Sequence, residues 1–216
     1  NKGDYDTALQ YHDKARKIQE QILPKNHPAL TITYNQIGNV YYSKKEYDQA
    51  LEYFNMVQKI REEVLDENHP LLATIYSNIG NVYTDKGVYE QAIKYNNKAL
   101  RIREKVLDAN HPSLATTYNN MGRVFDLTGK YNQAIEYYNR AKKIFEQTLG
   151  KNHPNTAAVY GNIGNTYANK GDYDKALEYH NMALRIYESK FGAEDKRTLK
   201  AKERIEAVKQ KMKEQK

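Results

Sequence analysis

Four histidines recur at one spacing: His27, His69, His111 and His153 each stand inside Asn-His-Pro, 42 residues after the last. Imidazole is the commonest metal ligand, so a row of zinc sites is the first chemistry to weigh. Equivalent residues of stacked units stand at least one helix spacing apart, about 8–10 Å. A shared zinc needs its nitrogens within about 2.0–2.1 Å of the ion. The row cannot bridge metals, so no metal site is expected and these histidines are assigned to the turn between units. His12 and His180 lie elsewhere in the register and are expected at the surface.

Other suggestive residues resolve in the same way. The chain holds 20 Tyr, no Trp and no Cys, which removes thiolate nucleophiles, thiolate metal sites and disulfides. Tyrosine rings can stack on nucleic-acid bases, but these follow a core period. Gly129-Lys130 lacks the upstream Gly and the following Ser/Thr of a phosphate-binding loop. Gly161-Asn162-Ile163-Gly164 follows no strand and is no dinucleotide fingerprint. No spacing places a nucleophile beside a base. Neither catalysis nor a cofactor is expected.

Binding chemistry is better represented. One register series reads Asn39, Asn81, Arg123 and Asn165; a second reads Asn35, Ser77, Asn119 and Gly161; a third reads Gln36, Asn78, Asn120 and Asn162. Asparagine is a poor helix former, so its recurrence inside helical segments calls for a reason. Each amide offers two donors and an acceptor with two lone pairs, suited to the backbone of a bound peptide. Asn35, Asn39, Ser77, Asn78, Asn81, Asn119, Asn120, Arg123, Asn162 and Asn165 are therefore the candidate contact residues, with Arg123 the cationic anchor. The alternative is that these amides bridge neighbouring helices or face water.

The elements that must position them come from the period itself. Gly38, Gly80, Gly122 and Gly164 keep the 42-residue step, as do Ala50, Ala92, Ala134 and Ala176, and Tyr47, Tyr89, Tyr131 and Tyr173. Asn-Lys-Gly-Asp-Tyr at 1–5 returns verbatim at 169–173. Each unit reads as two helices. In the first (A), Tyr34, Ile37, Gly38 and Tyr41 occupy one face of a 3.6-residue period. Pro of Asn-His-Pro suits its first position, where the missing N–H has no partner anyway. In the second (B), Tyr47, Ala50, Leu51, Phe54, Val57, Ile60 and Val64 form the stripe. Gly38 and Ala50 permit close approach, and stacked units are needed to bury both stripes. The expectation is all-α: a lone B helix at about 4–22, four A/B pairs and a terminal helix from about Asp195. The unit boundaries fall at 1–27, 28–69, 70–111, 112–153, 154–194 and 195–216, in one continuous solenoid.

The repeat resembles the tetratricopeptide pattern, Trp-x2-Leu-Gly-x2-Tyr followed by Ala-x3-Phe and Ala. Here it reads Tyr34-x2-Ile37-Gly38-x2-Tyr41 and Ala50-x3-Phe54, with Val57, Ala99, Ala141 and Ala183 at the last small position. Two departures stand out. Tyr replaces Trp, and Glu62, Glu104, Glu146 and Glu188 stand where a helix-ending Pro is usual. The longer B helix is similar to that of kinesin light chains and nephrocystin-3-like proteins. The resemblance implies a right-handed superhelix, about ten antiparallel helices, and a concave groove lined by A helices that receives peptides. It implies a non-enzymatic protein–protein interaction scaffold. A spacer or self-association module is the alternative.

Charge narrows the partners. The formal charge is +7, yet residues 196–216 alone carry nine Lys/Arg and three Glu. The repeat body is close to neutral, which disfavours nucleic acid. No apolar run approaches the roughly 20 residues of a membrane span. A cytoplasmic, soluble location is expected, and a piece cut from a larger protein. The basic terminal helix reads as a cap. At the other end Tyr5, Ala8 and Tyr11 lack an A partner, which predicts possible end-to-end self-association through this helix.

Overall fold

The computed structural model describes residues 2–214, and among them there are helices and no strand. The helices are α1 (Lys2–Ile22), α2 (Pro28–Ser43), α3 (Tyr47–Val64), α4 (Pro70–Lys86), α5 (Tyr89–Val106), α6 (Pro112–Leu127), α7 (Tyr131–Thr148), α8 (Pro154–Lys170), α9 (Tyr173–Phe191) and α10 (Lys196–Glu214). They group into two compact units, residues 1–106 and 107–216. In the first unit α2 pairs with α3 and α4 with α5, while α3 lies against α4 and α1 against α2. In the second, α6 pairs with α7 and α8 with α9, and α10 closes against α9.

The Asn-His-Pro triplet starts each A helix by a specific device. The Nδ1 atoms of His27, His69, His111 and His153 accept from the backbone N–H of Ala29, Leu71, Ser113 and Asn155 at 3.1–3.2 Å. One of the four amide groups that a helix start leaves unpaired is thereby satisfied. The following Pro needs no acceptor. At the fifth junction Asp195 takes the histidine's place, its Oδ1 accepting from Arg197 N at 2.9 Å. Hydrogen bonds from Arg197 push the Asp195 carboxyl down to about 2. The A-to-B turns need one left-handed residue each. Gly87, Gly129 and Gly171 supply it, and Lys45 does so with φ 64°.

Within each pair a glycine admits a large side chain. A Cβ added at Gly38 would lie 2.6 Å from the Phe54 ring, and one at Gly122 would lie 2.7 Å from the Tyr138 ring. The same place holds Asn96 against Gly80 and His180 against Gly164. This corrects the expectation of a surface His180: the residue is 1% exposed. Its position is the Phe of Ala-x3-Phe, counted from Ala176, so the fold delivers it to the closest helix contact whatever its polarity. His12, at the equivalent place in α1, is half-buried.

The two departures from the usual repeat are coupled to each other. The Tyr34, Tyr76 and Tyr160 hydroxyls donate to Glu20, Glu62 and Glu146 at 2.9, 2.7 and 2.7 Å. The carboxylate in place of Pro thus receives the phenol in place of Trp. Burial and the neighbouring carboxylate push the Tyr34 hydroxyl up to about 12. At α10, Lys202 replaces the tyrosine and pairs with Glu188 at 2.9 Å. Other tyrosines pack in pairs, Tyr41 on Tyr53 and Tyr83 on Tyr95, both stacked with centroids 5.7 Å apart. Such ring pairs add to what their burial alone contributes.

Candidate functional site

The candidate residues lie on α2, α4, α6 and α8. In the first unit, Asn78 Nδ2 donates to Asn35 Oδ1 at 3.1 Å. In the second, Asn162 Nδ2 donates to Asn119 Oδ1 at 2.9 Å. Both bonds join an A helix to the A helix of the following repeat, 43 residues on. The bridging role is therefore real at these four amides. Each bond uses one donor proton and one lone pair, leaving further capacity on each side chain.

The other candidates divide by depth. Asn39 is exposed, while Asn81, Asn120, Arg123 and Asn165 are half-buried. Ser77 is a correction: it is 6% exposed and does not present its hydroxyl on the surface. Its short side chain ends below the level that asparagine reaches from the same register. Arg123 lies close enough to Tyr138 for its charge to oppose the upward shift that burial imposes on that phenol.

Contacts that sequence reading missed share the same 43-residue offset. The Tyr42 hydroxyl donates to Asp85, and Asn169 Nδ2 lies 3.3 and 3.4 Å from the two Asp126 oxygens. Burial raises the Asp126 carboxyl above the usual range, while Asn169 and Thr166 hold it down. The signal was present in the register, since Asp85 and Asn169 are equivalents of Ser43 and Leu127. Reading each position alone, rather than in pairs one repeat plus one residue apart, hides it.

A hollow of about 290 Å³ opens in the second unit, lined by Asp126, Asn165, Asn169, His180, Arg204 and Lys211 among others. A larger one of about 730 Å³ in the first unit lies between α1 and α3, with Leu23, Leu30, Tyr34, Met56 and Ile60 on its walls. Among the described residues no cluster of His, Asp and Glu could hold a metal ion. No described helix is long and apolar enough to cross a membrane.

Comparison with known proteins gives one family. A model described as tetratricopeptide repeat matches residues 1–63, 31–105, 71–147 and 127–189. No curated protein sequence matches the chain. Among solved structures, BtubC (BKLC) from P. vanneervenii superposes with a TM-score of 0.76 at 22% identity, covering 94% of this chain and 81% of that one. A Podosopora anserina kinesin light chain-like protein of nearly identical repeats gives 0.72 at 20% identity, covering 88% and 90%. A Rap protein complexed with Competence and Sporulation Factor gives 0.70 at 18% identity, covering 96% of this chain and 61% of its own. These likenesses concern the fold, which is the all-α solenoid of paired helices.

Proposed function

The chain belongs to the tetratricopeptide repeat family, and from that premise we propose that it is a non-catalytic scaffold for protein–protein interaction. Its A helices hold an extended or helical segment of a partner. The observation that carries this reading is the set of amides on α2 and α4 in the first unit and on α6 and α8 in the second. Asn39 stands open, Asn81 and Asn165 stand half-open, and the bridged pairs Asn35–Asn78 and Asn119–Asn162 retain unused donors and acceptors. Bridging fixes the rotamers of those amides, which reduces what a guest must order on binding. Arg123 is the cationic member of the face. Recognition through backbone amides gives affinity with little sequence preference, so the scaffold is broad.

A peptide array probed with the wild-type chain and with the Asn39/Asn81/Asn165→Ala variant tests the reading. Captured peptides should lose at least tenfold in affinity in the variant. Undiminished binding of every captured peptide removes the face from the account. A second reading, self-association through α1, rests on Tyr11, Ile18 and Ile22, which are 66%, 59% and 71% exposed. A constant monomer mass across protein concentrations removes it.

A further inference from the structure

Each of the four A/B pairs stacks a ring of its A helix on a ring of its B helix, and the last three pairs carry a cation over those rings. Lys98 lies over Tyr95, which stacks on Tyr83, at 5.6 Å. Lys130 and Arg140 lie over Phe125 and Tyr137 at 6.0 and 5.8 Å. Lys175 and Lys142 lie over Tyr167 and Tyr179 at 5.2 and 5.5 Å. A ring face attracts a cation at such distances. The first pair, Tyr41 on Tyr53, is stacked in the same way, yet no described cation lies over either ring.

The register accounts for the difference. Counted back by whole repeats, the positions of those five cations fall on Met56, Glu46, Arg16 and Gln49. Arg16 keeps its charge but turns it to Asp13 and Glu20, at 2.6 and 3.2 Å. A hollow of about 460 Å³ opens beside the pair, with Leu9 of α1 and Ile37 of α2 on its walls. Its charged lining residues are both acids, Asp6 and Asp13. Later repeats place Asn55, Asn97 and Asn139 where Asp13 stands. Lys44 holds Asp6 through Oδ1 at 3.0 Å, and Arg16 and Lys17 hold Asp13 at 2.6 and 3.0 Å. The acid side chains stay 61% and 39% exposed. An ionised carboxylate accepts at about four positions, so both acids have room for a further donor.

We propose that this hollow, between α1 and the Tyr41–Tyr53 pair, receives a lysine side chain of a partner protein. Its ammonium takes the place over the rings that the later repeats fill from their own sequence, and Asp6 and Asp13 accept its protons. Leu9 and Ile37 flank the aliphatic stem. The guest is lysine rather than arginine because four of the five cations over the later pairs are lysines. It arrives on a chain, as each of those cations does. The hollow shares no residue with the amide face, so it is a second contact surface that does not rest on that reading.

The test follows the Tyr41 and Tyr53 ring signals of the whole chain by NMR. The probes are N-acetyl-lysine α-amide, N-acetyl-norleucine α-amide, N-acetyl-arginine α-amide and butylamine. The lysine probe should give a saturable shift at these rings. The norleucine probe, which keeps the stem and lacks the ammonium, should give none. Asp6→Asn combined with Asp13→Asn should weaken the lysine response at least tenfold. Gln49→Lys, which copies Lys175 over Tyr167, should weaken it as much by filling the place from within. An equal response to norleucine overturns the proposal, as does an undiminished titration in either variant. Arginine or butylamine saturating at lower concentration than the lysine probe overturns the assignment to a lysine side chain. Each of these failures leaves the amide face standing, because peptide capture there uses none of the hollow's residues.

Discussion

Replacing Asn96 by Leu should stabilise the protein, against the usual direction for a core substitution. Asn96 is fully buried, and both its amide oxygen and its amide nitrogen lack partners. It stands where Phe54 and Tyr138 stand in neighbouring repeats, against Gly80, whose added Cβ would lie 2.9–3.0 Å from the amide atoms. A buried polar group without a hydrogen bond costs about 1–3 kcal/mol. Leucine has the same branched frame, with two methyl groups in place of oxygen and nitrogen. The exchange removes that cost, and each added buried carbon contributes roughly 0.8 kcal/mol more. Allowing for imperfect fit, a gain of about 1–3 kcal/mol follows. Repeat arrays open locally as well as globally, so the assay needs both scales. Urea unfolding should show a higher midpoint, and amide exchange in α4 and α5 should slow relative to α2. The reciprocal Phe54→Asn should cost a few kcal/mol, on the order of a large-to-small core change. A midpoint for Asn96→Leu that stays level or falls, with the helical spectrum intact, refutes the reasoning. It would mean that the amide is satisfied, or that the flat amide group is what the glycine contact requires.

Two further outcomes follow from the caps and from the buried imidazole. His69→Ala removes an acceptor from the start of α4 and should lower stability by about 1 kcal/mol, whereas His69→Asn should restore most of it; chemical denaturation of the three proteins checks this. Because the His180 pKa is lowered by folding, the unfolded chain binds its proton first as the pH falls, so stability is complete above about 6.5 and erodes toward about 4. The loss attributable to this residue should reach about 3 kcal/mol by pH 4, and His180→Phe should flatten that part of the profile. A parallel pH dependence in both proteins would assign the acid sensitivity elsewhere.

The helices were legible because their signals are local and repeated. Pro28, Pro70, Pro112 and Pro154 are the first residues of their helices, and the glycine series marks the close contacts. The stripe from Tyr47 to Ile60 follows a period that one chain alone can display. What stayed hidden depends on neighbours. Nothing in the triplet says that the imidazole turns back to cap its own helix. The burial of His180 was encoded in its distance from Ala176, but its polarity argued for the surface, and position prevailed. Among the candidate contacts, the Asn35–Asn78 and Asn119–Asn162 bonds need two repeats set side by side, and Ser77 is too short to reach where its register equivalents do.

The tyrosine–glutamate bond has an evolutionary corollary. Each such bond straddles an Asn-His-Pro triplet, with the acid near the exit of one 42-residue module and the phenol near the entrance of the next. A duplicated module spliced in at the triplet would therefore bring a plug and a socket that match those already present. Array length can grow or shrink without any junction having to be reinvented. Lys202, which meets the last acid with a charge in place of a phenol, marks where that joinery stops.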